Sequence, residues 1–286
     1  MSELALVWLL GLSRGLHVAA YFAAFGALCA EGFFVRAPVK GMRRLAGGAF
    51  LLAVLFGAVW FVAVTIGLTG AGDWADVWVA SPIVALQTRF GYLLLGRLLV
   101  LLVALLLGLL GFKRLGAGLA FGGCVAQAWL GHGAAMLGSN DGDGLFGCAL
   151  AHVGGAALWM GALPAMLLVV ACADEADVGP AMRRFSKLAK GSVAAIIGTA
   201  VVQFWLLIGG LQAFLGSAYG LFSLAKIVLL VVLLALAYAP RLVPRGGSRA
   251  LSVKILAAET AVGLLVLVLA GFLLEFEAPT MAAMGM

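Results

Sequence analysis

The chain has 286 residues, of which 65% are hydrophobic and 10% are charged, and its mean hydropathy is +1.18. A soluble domain has about 45–50% apolar and about 25% charged residues, so the composition excludes a soluble globular protein and indicates one that crosses the lipid bilayer several times. The net charge of +6 comes mostly from loop lysines and arginines, a pattern that reports membrane topology and does not indicate a nucleic-acid partner.

Eight apolar stretches are long enough to cross a bilayer, which takes about 20 residues of α-helix. In chain order, the predicted spans cover residues 10–33, 45–69, 83–111, 114–133, 147–171, 188–209, 218–239 and 251–274. The sequence therefore predicts an all-α fold, a polytopic bundle of eight transmembrane helices.

Lysines and arginines are concentrated in every second loop, after the first, third, fifth and seventh predicted spans. Because positive loops stay on the cytoplasmic side, both termini are expected outside, which for a bacterial inner membrane means the periplasm. The first apolar stretch begins near Leu4, has no basic residue before it and exceeds the apolar core of a signal peptide, so it is expected to remain a span. Arg14 is expected to reach the outer interface.

Short segments of the two halves match in the same order. The matches align His17 with His152 and Arg97 with Lys226. Since each half holds four predicted spans, an even number, the simplest interpretation is a duplication in which both halves have the same orientation.

The division of this predicted duplication falls in the second outer loop. The first four-helix repeat covers residues 1–140 and the second covers residues 141–286. Repeat halves often meet at a central site, so His17 and His152 are expected to face each other across it.

Soft and borderline metal ligands cluster near the same outer loop. Cys148 and His152 are four residues apart, as are His132 and Met136, so each pair is expected to share a helix face. Imidazole, thiolate and thioether together favour Cu(I), although zinc is chemically compatible. With His17, these residues form the predicted metal site; ordinary core packing is the alternative for the cysteine and the methionine.

Charged residues well inside predicted spans include Arg97, Lys226 and Glu259. Each costs roughly 2.5–3.5 kcal/mol to insert, so each needs a partner or a function. Lys226 and Glu259 are a candidate ion pair. Gln127, Gln203 and Thr199 could hydrogen-bond Arg97 or line a polar path. A structural pairing and an ion or proton pathway both remain open.

Further methionines extend the candidate set. Met160 lies two helical turns beyond His152 and could continue a metal path, with core packing as the alternative. Met281, Met284 and Met286 lie at the C-terminus on the predicted outer side, where thioethers suit Cu(I) capture and a disordered tail is the alternative. The chain has no P-loop, HExxH or GxSxG motif, and an enzyme is not predicted.

The second half resembles the copper resistance protein D (CopD) family. The resemblance is carried by "GHG" (131–133), "AHVGGAALWMGAL" (151–163), "RFSKLAKGSVAAIIGTAVVQFWLLIGG" (184–210), "YGLFSLAKIVLLVVLLALAYAPRLVP" (219–244) and "SVKILAAETAVGLLVLVLAGFL" (252–273). One departure is Pro240, where the family often has asparagine. The resemblance implies an inner-membrane protein that moves copper inward from the periplasm, often with a small periplasmic copper protein, CopC, as partner. It also favours His17, His132 and His152 as functional residues.

The main alternative is an electron-transfer protein that holds haem b. Four-helix units with inward histidines are a haem-binding format, and His17 and His152 would ligate the haem between the halves. A metal-binding assembly or signalling factor without transport is a third possibility that the sequence leaves open.

Overall fold

The computed structural model describes residues 2–138, 140–242 and 248–283. Within these ranges the chain is helical and contains no β-strand, so the predicted all-α fold is confirmed. The α-helices are, in order, α1 Glu3–Cys29, α2 Met42–Thr69, α3 Trp74–Gln87, α4 Arg89–Leu109, α5 Lys113–Val125, α6 His132–Ala135, α7 Asn140–Met160, α8 Leu163–Cys172, α9 Glu175–Gln203, α10 Leu211–Gly216, α11 Ala218–Leu242, α12 Arg249–Phe272 and α13 Pro279–Ala283.

Seven helical stretches in the described ranges are long and apolar enough to cross a membrane. They are Glu3–Phe34, Met42–Thr69, Arg89–Leu109, Asp141–Cys172, Glu175–Ile208, Ala218–Tyr238 and Arg249–Ala282. The chain is therefore a multi-pass membrane protein, and seven of the eight predicted spans correspond to these stretches.

The remaining predicted span, 114–133, is a shorter composite. The 13-residue helix α5 ends at Val125, and the chain continues as a five-residue 3₁₀ segment to Leu130. Gly131 is extended (φ −111°, ψ 172°) and ends the helical run. Hydropathy registers the apolar character of this stretch but does not distinguish an α-helix from the tighter 3₁₀ form.

Two other predicted spans are interrupted in the structure. The stretch 83–111 divides at Thr88, which is extended (φ −105°, ψ 148°) and whose hydroxyl accepts a hydrogen bond from Gly91 N at 3.0 Å. This cap starts α4 and makes α3 a separate helix. The stretch 147–171 divides at Gly161, between α7 and α8.

Helix α1 lies at the centre of the bundle, packed against α2, α5, α7, α8 and α12. Small residues permit this close packing of α1 against its neighbours. A Cβ added at Gly26 would collide with the backbone oxygen of Gly161, and one added at Gly15 would lie 2.6 Å from Val268 Cα on α12. Glycines let membrane helices approach closely and gain packing energy, so these contacts join the first helix to the second half of the chain.

Candidate functional site

A cavity of about 290 Å³ lies among α1, α7, α9, α11 and α12. Its volume is near the lower end of small-molecule sites, roughly 300–1,000 Å³. Most of its wall is apolar. The polar side chains that line it are Arg14, Gln127, His132, His152, Gln203, Tyr219, Ser223 and Lys226.

His152 reaches this cavity from α7 with one ring nitrogen already engaged. Its Nδ1 atom lies 3.0 Å from Thr199 Oγ1, and that hydroxyl lies 2.6 Å from the carbonyl oxygen of Ala195. A carbonyl can only accept, so the single hydroxyl hydrogen of Thr199 goes to Ala195 and the hydroxyl accepts from His152 Nδ1. The Nε2 atom of the neutral ring then keeps its lone pair, which is the form that binds metal.

His132 lies at the start of α6 and lines the same cavity. Its Nε2 atom is 3.5 Å from the carbonyl oxygen of Leu273, a long contact in which the ring nitrogen donates. Its ring packs edge-on against Tyr219, with 5.7 Å between the centroids. When Nε2 of the neutral ring donates, Nδ1 carries the lone pair.

His17 has different surroundings. Its side chain is 0% exposed, its Nδ1 atom donates to the carbonyl oxygen of Ala53 on α2 at 2.8 Å, and its ring packs beside Trp60 at 5.6 Å. Nε2 is buried and forms no hydrogen bond with a described residue. His17 does not line the cavity.

The structure therefore does not bring His17 and His152 into one cavity. Arg14 and Val18 of α1 line the cavity, and His17 lies on another face of the same helix, toward α2. Each residue turns an α-helix by about 100°, so a neighbour in sequence can point to a different side. A central site between the halves stays a prediction; the repeat match that suggested it does not specify helix rotation.

Of the predicted sulfur ligands, Met160 lines the cavity. It is 6% exposed and lies two turns beyond His152 on α7. Cys148 is half-buried on the same helix but is not part of the cavity wall.

Met136 is buried in a second apolar cluster and does not line the cavity. Met281, predicted as part of a tail, is 8% exposed and belongs to the same cluster, together with Leu145 and Leu207. The other two predicted tail ligands, Met284 and Met286, lie outside the described residues.

Arg97 is enclosed by partners and does not line the cavity. It is 2% exposed, its Nε donates to Gly123 O at 2.9 Å, and one terminal nitrogen donates to Gln127 Oε1 as the sequence suggested. The guanidinium also lies 4.8 Å from the ring centroid of Tyr21. These contacts offset part of the cost of a buried charge, while the second terminal nitrogen, Nη2, is buried without a described partner. They favour the structural alternative for Arg97.

The candidate pair of Lys226 and Glu259 is not formed. Within the described ranges, the ion pair found is Lys113–Glu31, at 3.4 Å. Lys226 lines the cavity, whereas Glu259 is 4% exposed on α12 and does not line it. The two residues approach from opposite ends of adjacent helices. Sequence spacing does not determine the distance between the ammonium group of Lys226 and the carboxylate of Glu259.

Two further polar residues of the cavity lie outside the predicted metal site. Arg14 is 7% exposed instead of reaching the outer interface; it donates to Leu130 O at 2.9 Å and lies 5.2 Å from the Trp60 ring centroid. Gln203, expected either to bond to Arg97 or to line a polar path, lines the cavity, and its Nε2 is buried without a described partner. The sequence signal that could have identified both as cavity residues is a polar side chain inside an apolar run.

Metal-ligand geometry is limited to small groups. Among the residues that the structure describes, no three histidine, cysteine, aspartate or glutamate side chains come together as a metal group. A metal ion in the cavity would therefore rely on the two imidazoles of His132 and His152 and on donors of another kind, such as the thioether of Met160.

These features define a class: a multi-pass helical membrane protein with a cavity between its helices that two imidazoles line. Two family models identify it further. The model "Copper resistance protein D" matches residues 179–273, and the model "Copper resistance protein D-like, N-terminal domain" matches residues 1–143. The chain belongs to the copper resistance protein D family and is a copper-related membrane protein, which confirms the resemblance seen in its sequence. Searches of curated proteins and of solved structures found no match.

Proposed function

We propose that this protein carries copper across the bacterial inner membrane, from the periplasm toward the cytoplasm, through the cavity lined by His132 and His152. The observation that supports this most is the hydrogen bonding of the two rings. Each ring has one nitrogen engaged as a donor, to Leu273 or to Thr199, and keeps a lone pair on the other.

The donor set suits Cu(I). Imidazole nitrogen and thioether sulfur bind this ion without losing a proton, and Met160 places a thioether in the wall of the same cavity. Low coordination numbers are chemically acceptable for Cu(I), so two histidines and one methionine suffice. Cu(I) is the cargo in this proposal, and the cavity is its binding station.

The orientation follows from the loop charges. The basic loops would face the cytoplasm and both termini the periplasm, so copper would enter from the side of the loop after the composite fourth span. A small periplasmic copper protein of the CopC type is the proposed donor, by family resemblance. The predicted ligands outside the cavity, His17, Met136 and Cys148, stay predictions for steps before or after the cavity.

The test combines copper binding with copper uptake. Purified protein in lipid nanodiscs is titrated with Cu(I) against a chromogenic chelator, and copper content is measured in cells that express each variant. We expect His132→Ala combined with His152→Ala to abolish both signals.

A matched pair of methionine variants separates the cavity from general packing. Met160→Leu should weaken Cu(I) binding about tenfold, whereas Met136→Leu should leave it unchanged, because both are buried but only Met160 lines the cavity. Equal effects of the two variants, or full copper binding by the double histidine variant, would refute the proposal.

The haem alternative fits this geometry poorly. Its axial pair, His17 and His152, is not found in one cavity, and a Cβ at Gly57 would lie 3.0 Å from His17 Nδ1, which shows how tightly that ring is enclosed. An absorption spectrum of the purified protein tests it directly, since a haem protein has a Soret band.

A further inference from the structure

The electrostatics of the cavity are unusual for a cation site. Two basic side chains, Arg14 and Lys226, line it, and no aspartate or glutamate is among the described lining residues. A charge inside the membrane region is costly unless it is paired, so each of these two charges should have something that offsets it.

Arg14 has such partners within the chain. It donates to the carbonyl oxygen of Leu130 at 2.9 Å, its guanidinium lies over the ring of Trp60, and Glu275 is near enough for their opposite charges to attract. Arg14 is therefore compensated by the protein itself.

Lys226 is not compensated in this way. It forms no hydrogen bond or ion pair with any residue in the described ranges, although an ammonium group has three hydrogens to donate. The same wall contains Gln203, whose Nε2 amide is buried without a described acceptor. Ser223 lines the same wall and donates to Tyr219 O at 2.9 Å, and no hydrogen bond joins its oxygen to Lys226 or to Gln203 Nε2.

The cavity wall thus has a positive charge at Lys226 without a described counter-charge and an amide at Gln203 without a described acceptor. A small anion would neutralise the charge of Lys226 and accept hydrogen bonds from both side chains. Hydrogen bonds from an ammonium to a charged oxygen are roughly twice as strong as neutral ones. We propose that the cavity binds a small monovalent anion, a carboxylate or an inorganic ion of similar size, through Lys226 and Gln203.

This site goes beyond the proposed copper function and does not depend on it. If copper also binds, the two ligands should favour each other, because Lys226 acts electrostatically on His152 and an anion at Lys226 would reduce the repulsion on an incoming cation. The apolar walls further suit a carboxylate with a short hydrocarbon chain.

The experiment uses metal-free protein in lipid nanodiscs, with empty nanodiscs subtracted and sulfate as background salt. Calorimetric titration with acetate should show one site per chain. Hexanoate is the second probe. Binding at least tenfold tighter than that of acetate would indicate an amphiphile that uses the apolar walls, as a membrane-derived ligand does, and equal affinities would indicate a water-borne anion.

Variants assign the site to its residues. Lys226→Met should weaken acetate binding at least twentyfold, Lys226→Arg should stay within threefold of wild type, and Gln203→Leu should weaken it about fivefold. Lys113→Met is the matched control, because Lys113 is paired with Glu31 outside the cavity and its loss should have no effect.

The proposal is overturned if wild-type protein binds neither acetate nor hexanoate, or if Lys226→Met binds acetate as wild type does. These outcomes are independent of copper. Anion binding without copper binding would refute the proposed transport function but not the anion site. Copper binding without anion binding would refute the anion site but not the transport function.

Discussion

The histidines His17 and His152, which the sequence aligns with each other, have contrasting surroundings. His17 is fully enclosed, donates to a backbone carbonyl and lies near Arg97, whose guanidinium is held by a carbonyl, an amide and an aromatic ring. His152 donates to the hydroxyl of Thr199, lines a cavity and lies near Lys226, which has no described partner. In the first half this combination of histidine and basic residue is enclosed by protein, with His17 Nε2 and Arg97 Nη2 buried without a described partner, whereas in the second half it lines a cavity.

This contrast teaches that ionisable residues inside a membrane protein need not share one purpose. A histidine whose neighbours complete its surroundings contributes to stability, whereas one beside an open cavity has a nitrogen available to a ligand. Four variants test this difference between the two histidines, in order of decreasing predicted change in free energy.

Arg97→Ala should destabilise the closed site most. The change leaves Gly123 O and Gln127 Oε1 without their charged donor and removes the stacking on Tyr21. Losing hydrogen bonds to a buried charged group costs about 3 kcal/mol, so the thermal unfolding temperature should drop while Cu(I) affinity stays the same. A normal unfolding temperature would show that Arg97 is not a structural residue.

His152→Ala should act on ligand binding instead. Removing an available Nε2 donor should weaken Cu(I) affinity at least a hundredfold, which corresponds to about 2.7 kcal/mol. Thr199 keeps its bond to Ala195 O, so the unfolding temperature should change little. The comparison fails if this variant unfolds early but binds Cu(I) like wild type.

His17→Ala is the counterpart of that variant in the closed site. It removes the bond to Ala53 O and leaves a small void beside Trp60, at a cost of about 2 kcal/mol in unfolding free energy. Its Cu(I) affinity, measured in the same chelator competition, should equal that of wild type. A strong loss of binding would place His17 on the copper path after all.

Thr199→Val should have the smallest effect. Valine keeps the shape but removes the acceptor that holds His152 Nδ1–H in place. Loss of such an outer partner typically lowers metal affinity by about 10–100-fold, and we expect about tenfold here because the ring stays confined by α9. Thr199→Ser, which keeps the hydroxyl, should restore binding; if it does not, the hydroxyl has no orienting role.

The sequence alone was sufficient for the broad architecture. Its apolar runs predict helices because a backbone inside lipid must satisfy its own hydrogen bonds, and the family resemblance in the second half agrees with the family models. The hydrogen bond between Arg97 and Gln127 was also predictable, because a buried guanidinium needs acceptors and the apolar spans contain few polar residues. Interruptions such as Thr88 were missed because a cap is a local geometry inside an apolar stretch.

Which residues share the cavity depends on how the helices pack in three dimensions. Met160 lines it and Met136 does not, though both are methionines close to a histidine in sequence. His17 faces α2 while its neighbour Val18 faces the cavity. Composition and spacing determine that a residue lies in a helix within the membrane. The rotation of that helix against its neighbours is set by close packing, here by glycines such as Gly26 against Gly161, and no local pattern records it.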